Sequence, residues 1–205
     1  MPRGILQKMG QDDKPPAVIG WTAAGIVVLF LIGAGVNVIN SIGPIHSPHR
    51  NAWMSLRDLA RAEADFRTHD RDGNGIEDFW AGDVSQLYLM TSGERQLKLI
   101  ESSLAYADRN PVSALSGSME KSGYWFTAIK TDEMGSPYDQ KAGRNREKFG
   151  FCAYPAKYSA DGRFTFIVNE LNVIWKKDQG GAPVLQWPKD PLAEGWSRIA
   201  DAVEL

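Results

Sequence analysis

Asp70, Asp72, Asn74 and Asp78 alternate through the stretch Asp70-Arg71-Asp72-Gly73-Asn74-Gly75-Ile76-Glu77-Asp78, the one place in the chain where oxygen ligands recur at metal-binding spacing. Calcium takes six to eight oxygens, and D-x-D-x-N-G offers three side chains on alternate positions while the glycine allows a sharp turn. Ile76 would add its backbone carbonyl, and Asp78 would fill the ninth position directly or through water. The stretch thus follows an EF-hand loop through position nine. At position twelve stands Ala81 where a bidentate Glu belongs, so Asp83 or a residue from elsewhere would complete the shell of a weak, structural Ca2+ site. The same residues also suit an Asx and Gly turn that ends a helix, because Asp and Asn bond their own backbone. Both readings stand on the sequence.

Other residues with chemical potential are isolated. His46 and His49 form H-x-x-H, but on a proline-broken stretch without the third ligand that a zinc site needs. Cys152, the single cysteine, rules out an intramolecular disulfide and lies in the apolar run Phe149 to Tyr154, which reads as a buried, inert thiol. Glu170 reads as a surface carboxylate. Ser-His-Asp, H-E-x-x-H, Walker and G-x-G-x-x-G patterns are absent, so no enzyme is expected.

The loop must be held by the elements around it. Ahead of it, Ala52 to Thr68 repeats apolar residues at three- and four-residue steps (Trp53, Leu56, Leu59, Ala60, Phe66), which predicts an amphipathic helix with one core-facing stripe. Behind it, Phe79 and Trp80 form an apolar anchor. Val84 to Met90 and Glu94 to Asp108 read as further helices, and Asn110 to Met119 as a Pro, Ser and Gly loop. From Gly123 the period changes to two. Four antiparallel strands are expected, at Tyr124–Lys130, Phe149–Tyr154, Arg163–Asn169 and Asn172–Lys177. In the third, Phe164, Phe166 and Val168 face one way and Thr165, Ile167 and Asn169 the other, as in a strand with one buried face. Asp132 to Arg146 is polar and reads as an exposed loop. Trp187 and Trp196 give the C-terminal segment something to tuck under the domain.

Upstream of all this, Ala17 to Ile39 contains no charged residue and has the length of a bilayer-spanning helix. The expected organisation is a cytoplasmic tail over 1–16, a transmembrane helix over 17–39, a linker over 40–51 and an extracytoplasmic domain over 52–205. Arg3, Lys8 and Lys14 before the span, against Arg50 and Arg57 after it, place the short tail in the cytoplasm. Small residues at Gly33-Ala34-Gly35 leave a cleaved signal peptide as the alternative to a permanent anchor. A net charge of -2 and interleaved charges argue against a nucleic-acid partner.

The order of these pieces resembles the head domain of bacterial type IV pilins and type II secretion pseudopilins. The resemblance covers Ser55 to Asp178, and its most specific parts are Lys121-Ser122-Gly123-Tyr124 and the pair of strands carrying Ala153, Pro155, Gly162, Arg163, Phe164 and Asn169. It implies an α+β fold, a helix packed on the four-stranded antiparallel sheet, and work as a structural or assembly protein of a bacterial envelope. The partners would be the inner membrane and other protein subunits or copies of itself. The front departs from that family: Gly10-Gln11 and Gly20-Trp21 do not match its leader junction, and no Glu lies inside the apolar run. The alternative is an anchored extracytoplasmic module that binds calcium or another ligand.

Overall fold

The computed structural model describes residues 47–111, 115 and 117–199. They belong to the second of two units, Met1–Ile45 and His46–Leu205. The expected tail, the span Ala17–Ile39, His46 and the linker through residue 46 lie outside the described residues, as do parts of the Asn110–Met119 loop. Among the described residues no helix is long and apolar enough to cross a membrane.

Helix α1 runs Pro48–Thr68, starting four residues ahead of the expected boundary. The linker was expected to extend to Asn51 because prolines break helices. Pro48 instead opens this one: it occupies the first turn, where its missing N–H costs nothing and its fixed φ is already helical. Ser47 caps the end, its hydroxyl accepting from Arg50 N at 3.2 Å. The buried face carries Leu56, Leu59, Ala60 and Phe66, as expected, together with Ala52, Ser55, Ala62 and Glu63. Trp53 is only half-buried, with the Arg57 guanidinium 5.1 Å above its ring.

The fold is α+β. Its sheet has five antiparallel strands, not four, in the order β4-β6-β7-β8-β9: Tyr124–Ala128, Gly150–Pro155, Phe164–Asn169, Trp175–Asp178 and Ser197–Arg198. The first four match the expected strands with shifted ends. The fifth, two residues long and paired through Trp175↔Arg198, is too short to leave a period in the sequence. Helix α1 packs on β6 and β7. Tyr124, Phe126, Phe151, Ala153, Phe166 and Val168 face it in the main core. The opposite face is not solvated. Cys152 and Ile167 meet Val184, Trp187 and Trp196 there in a second core, so β7 is buried on both sides.

Lys121-Ser122-Gly123-Tyr124 is a tight turn, with Lys121 N donating to Tyr124 O and Tyr124 N to Lys121 O, both at 3.0 Å. Ser122 and Gly123 take φ values of 52° and 77°, the left-handed pair that such hairpin turns demand. The turn clamps α1 to the sheet: Lys121 Nζ donates to Ser55 Oγ at 2.6 Å and to Glu101 at 2.7 Å, and Asn51 Nδ2 donates to Ser122 Oγ at 3.3 Å. Tyr124 Oη reaches across to Phe164 O at 3.1 Å. It lies over Gly162, where a Cβ would stand 2.1 Å from that oxygen, so only glycine fits. The motif's work is thereby structural.

Short elements complete the domain: β1 Phe79–Trp80, α2 Gln86–Leu89, the hairpin β2 Thr91–Ser92 with β3 Arg95–Gln96, α3 Ser102–Tyr106, and β5 Arg144–Asn145. The helix expected over Glu94–Asp108 shrinks to α3. Gly93 turns the chain into β3, and Lys98 then adopts a φ of 52°, which no helix contains. The expected exposed loop Asp132–Arg146 is also corrected. Tyr138 and Asn145 are buried in it, and β5 pairs with β1 through Trp80↔Arg144.

Candidate functional site

The loop after α1 is wound around its own carboxylates. Asp70, at φ 43°, ends the helix. Its Oδ1 accepts from Asn74 N at 3.1 Å and its Oδ2 from Gly75 N at 2.9 Å. Asp72 Oδ1 accepts from Asn74 N at 3.3 Å, and Asn74 Oδ1 from Ile76 N at 2.7 Å. Gly73 and Gly75 supply the φ values of 67° and 77° that the winding needs. The Asn74 amide nitrogen lies between two carboxylates, donating to Asp72 Oδ2 at 3.0 Å and to Asp78 Oδ2 at 3.3 Å. Asp70, Asp72, Asn74 and Asp78 are thus brought together, and Ile76 lies on the same loop. Arg71 points away, forked onto Asp65 at 2.8 and 2.7 Å, and that guanidinium holds the Asp65 carboxyl below its usual range.

The β1–β5 pairing brings Arg144 to this loop from far along the chain. Its Nε donates to Asp72 Oδ2, Nη1 donates to Ala142 O at 2.9 Å, and the guanidinium lies 5.5 Å over the Trp80 ring. Gly143 makes this seat possible, because a Cβ there would meet the Trp80 ring at 2.4 Å. Asn74, Ile76 and Asp78 form one wall of an open cleft of about 520 Å³, and Lys141, Arg144 and Arg146 belong to the other.

Asp78 is 4 % exposed, and its Oδ1 has no hydrogen-bond partner. Burial pushes its carboxyl above the usual range; the nearby Asp72 and Asp70 add to this, while the Asn74 hydrogen bond and Arg144 oppose it. Behind it on α1 lies Glu63, fully buried, with Oε2 accepting from Trp80 N at 2.8 Å and Oε1 unpartnered. Desolvation raises Glu63 well above the ordinary value, and the Asp78 charge adds to the shift. Asp83, one of the two expected ways to complete a calcium shell, lies away from the loop. It accepts from Trp80 Nε1, Ser85 Oγ and Gln86 N as a buried cap for α2. Among the described residues no three His, Cys, Asp or Glu side chains already stand in a metal-holding group.

The other candidates serve packing. Cys152 is buried on the second face, accepting from Val184 N at 3.3 Å, and burial pushes its thiol up to about 12, which removes nucleophilic character at neutral pH. His49 stacks edge-on against Tyr124 and Phe164, and its Nε2 accepts from Arg163 N at 3.3 Å. Burial and the Lys176 charge keep it neutral to lower pH than usual. Glu170, expected on the surface, is half-buried with Oε2 unpartnered and its carboxyl raised by burial. Asp108 was not singled out in the sequence, yet its Oδ2 accepts from both Val84 N and Ser85 N at 2.9 Å and fixes the start of α2.

Residues 48–185 match the family described as Protein of unknown function (DUF2950). That match runs from the first residue of α1 through β8 to the Val184 strap of the second face. No curated protein and no solved structure matches the chain. Spanning more than half of the sequence, the match makes the chain a member of the DUF2950 family.

Proposed function

We propose that the chain is a membrane-anchored, pilin-like structural or assembly protein of a bacterial envelope, held by Ala17–Ile39 with the domain after it outside the inner membrane. The observation that carries this reading is the clamp of α1 onto the antiparallel sheet by Lys121-Ser122-Gly123-Tyr124. Two hydrogen bonds, Lys121 to Ser55 and Asn51 to Ser122, fix the helix to this turn, while the Tyr124–Phe164 hydrogen bond and the Lys121–Glu101 ion pair tie the turn to the strands and to the start of α3. A helix locked on a sheet is a rigid block suited to packing against other subunits. In this reading the domain performs no reaction and its partners are proteins and the membrane.

Chemical cross-linking of the full chain in its native membranes tests it. The expected product is a ladder of self-linked species or one defined adduct with another envelope protein; a monomer at every cross-linker dose would overturn the reading. The second reading, a module that binds calcium or a ligand, is favoured by the unpartnered Oδ1 of the buried Asp78.

A further inference from the structure

An acidic loop that satisfies its own backbone is, by itself, a turn. Asp78 is the observation that goes further. A carboxylate oxygen withdrawn from water without a donor is destabilising, and Asp78 Oδ1 is in that state at 4 % exposure. Its other oxygen is held against the loop by Asn74 Nδ2, and it shares a cleft wall with Asn74 and Ile76. The Asn74 amide nitrogen, donating to both Asp72 and Asp78, marks the point where a cation would bridge the same two carboxylates.

We infer that Asp70, Asp72, Asn74, Asp78 and the Ile76 carbonyl hold one hard divalent cation, calcium, and that the Arg144 guanidinium is the counter-ion which this cation displaces from Asp72. All donors are oxygens, which suits calcium or magnesium and not zinc or copper. The loop turns sharply at Gly73 and Gly75 and has no glutamate at its twelfth position, so water must finish the shell; calcium tolerates such irregularity and magnesium does not. In the calcium-free state three carboxylates face one contacting guanidinium, since Arg71 is engaged by Asp65. Lys141 and Arg146 belong to the outer wall and are exposed, so solvent screens them. Displacing Arg144 would also loosen β5 from β1, which couples cation binding to the 132–146 segment.

Terbium carries the same oxygen preference and lights up when an indole lies close, and Trp80 is stacked under Arg144. The full chain is titrated with Tb3+ under tryptophan excitation, then with Ca2+ as competitor, alongside Arg144→Gln and Asp78→Asn. Expected is saturable emission that millimolar Ca2+ extinguishes. Calcium affinity should be about tenfold tighter in Arg144→Gln and at least about tenfold weaker in Asp78→Asn, with unchanged far-UV circular dichroism. No calcium-sensitive emission in the wild type would overturn the inference, as would unaltered affinity in either variant. If Asp78→Asn does not fold, wild type and Arg144→Gln decide: an arginine that only braces the turn gives no tightening when removed.

Discussion

At Glu63 a carboxyl group lies on the apolar stripe of α1, fully buried. The sequence held the signal: Glu63 follows Leu59 by four residues and precedes Phe66 by three, so helical spacing alone puts it on the buried face. Its raised native pKa has a definite consequence. Below 4.5, the ordinary value, folded and unfolded chains are both protonated there and no buried charge opposes folding. As pH rises from that point the unfolded chain ionises first, and stability is lost until the native pKa is reached. Glu63→Gln keeps an acceptor for Trp80 N–H and removes the charge. In EDTA at pH 7 it is expected to be more stable than wild type by about 1 kcal/mol or more, with the gap closing near pH 4.5. Urea unfolding at the two pH values measures this, and a gap that does not change with pH would show that Glu63 is not the titrating group. Arg144 had no such signal. It is 72 residues from Asp72, and only the β1–β5 pairing, two residues in each strand, joins them.

Elements with a strong period were readable, and those held by single contacts were not. The stripe of α1 and the alternation of Phe164 to Asn169 follow from 3.6 and 2.0 periods, and both are present. The second buried face of β7 escaped the alternation rule because Thr165 and Asn169 look like solvent-facing residues. Thr165 instead donates from its hydroxyl to Ala182 O at 3.1 Å, and Asn169 accepts from Leu171 N at 3.2 Å. Trp187 and Trp196 did announce a tucked C-terminal segment, and they cap this face. If that strap is integral to the sheet, Trp196→Ala should cost about 3–5 kcal/mol, as for other buried large-to-small changes. Denaturant unfolding with near-UV circular dichroism reads it; a loss under about 1 kcal/mol would mean the strap is peripheral. The helix expected over Glu94–Asp108 shows the opposite failure. Its Leu97, Ile100 and Leu104 spacing was helical, but the Gly93 turn and the left-handed Lys98 divert the chain before a helix can nucleate.

At the scale of the whole domain, β6, β7 and β8 pair with neighbours close in sequence, whereas their helical cover, α1, lies far upstream. Closing the main core joins Leu56 and Leu59 to Phe151 and Phe166 across a long intervening segment. That separation divides the folding reaction. The β6–β7 hairpin pays little loop entropy and is expected in the transition state, with α1 docking afterwards. Leu59→Ala should then accelerate unfolding and leave the refolding rate nearly unchanged, while Ile167→Val should slow refolding. Stopped-flow refolding in urea separates the two, and equal φ-values at both positions would refute the order. The same arrangement acts during synthesis. Helix α1 ends about 100 residues before β7 is complete, which at about 5–20 residues per second leaves its apolar stripe uncovered for roughly 5–20 seconds. A nascent chain in that interval presents a half-built core, and it is then that a chaperone or a neighbouring nascent copy would meet it.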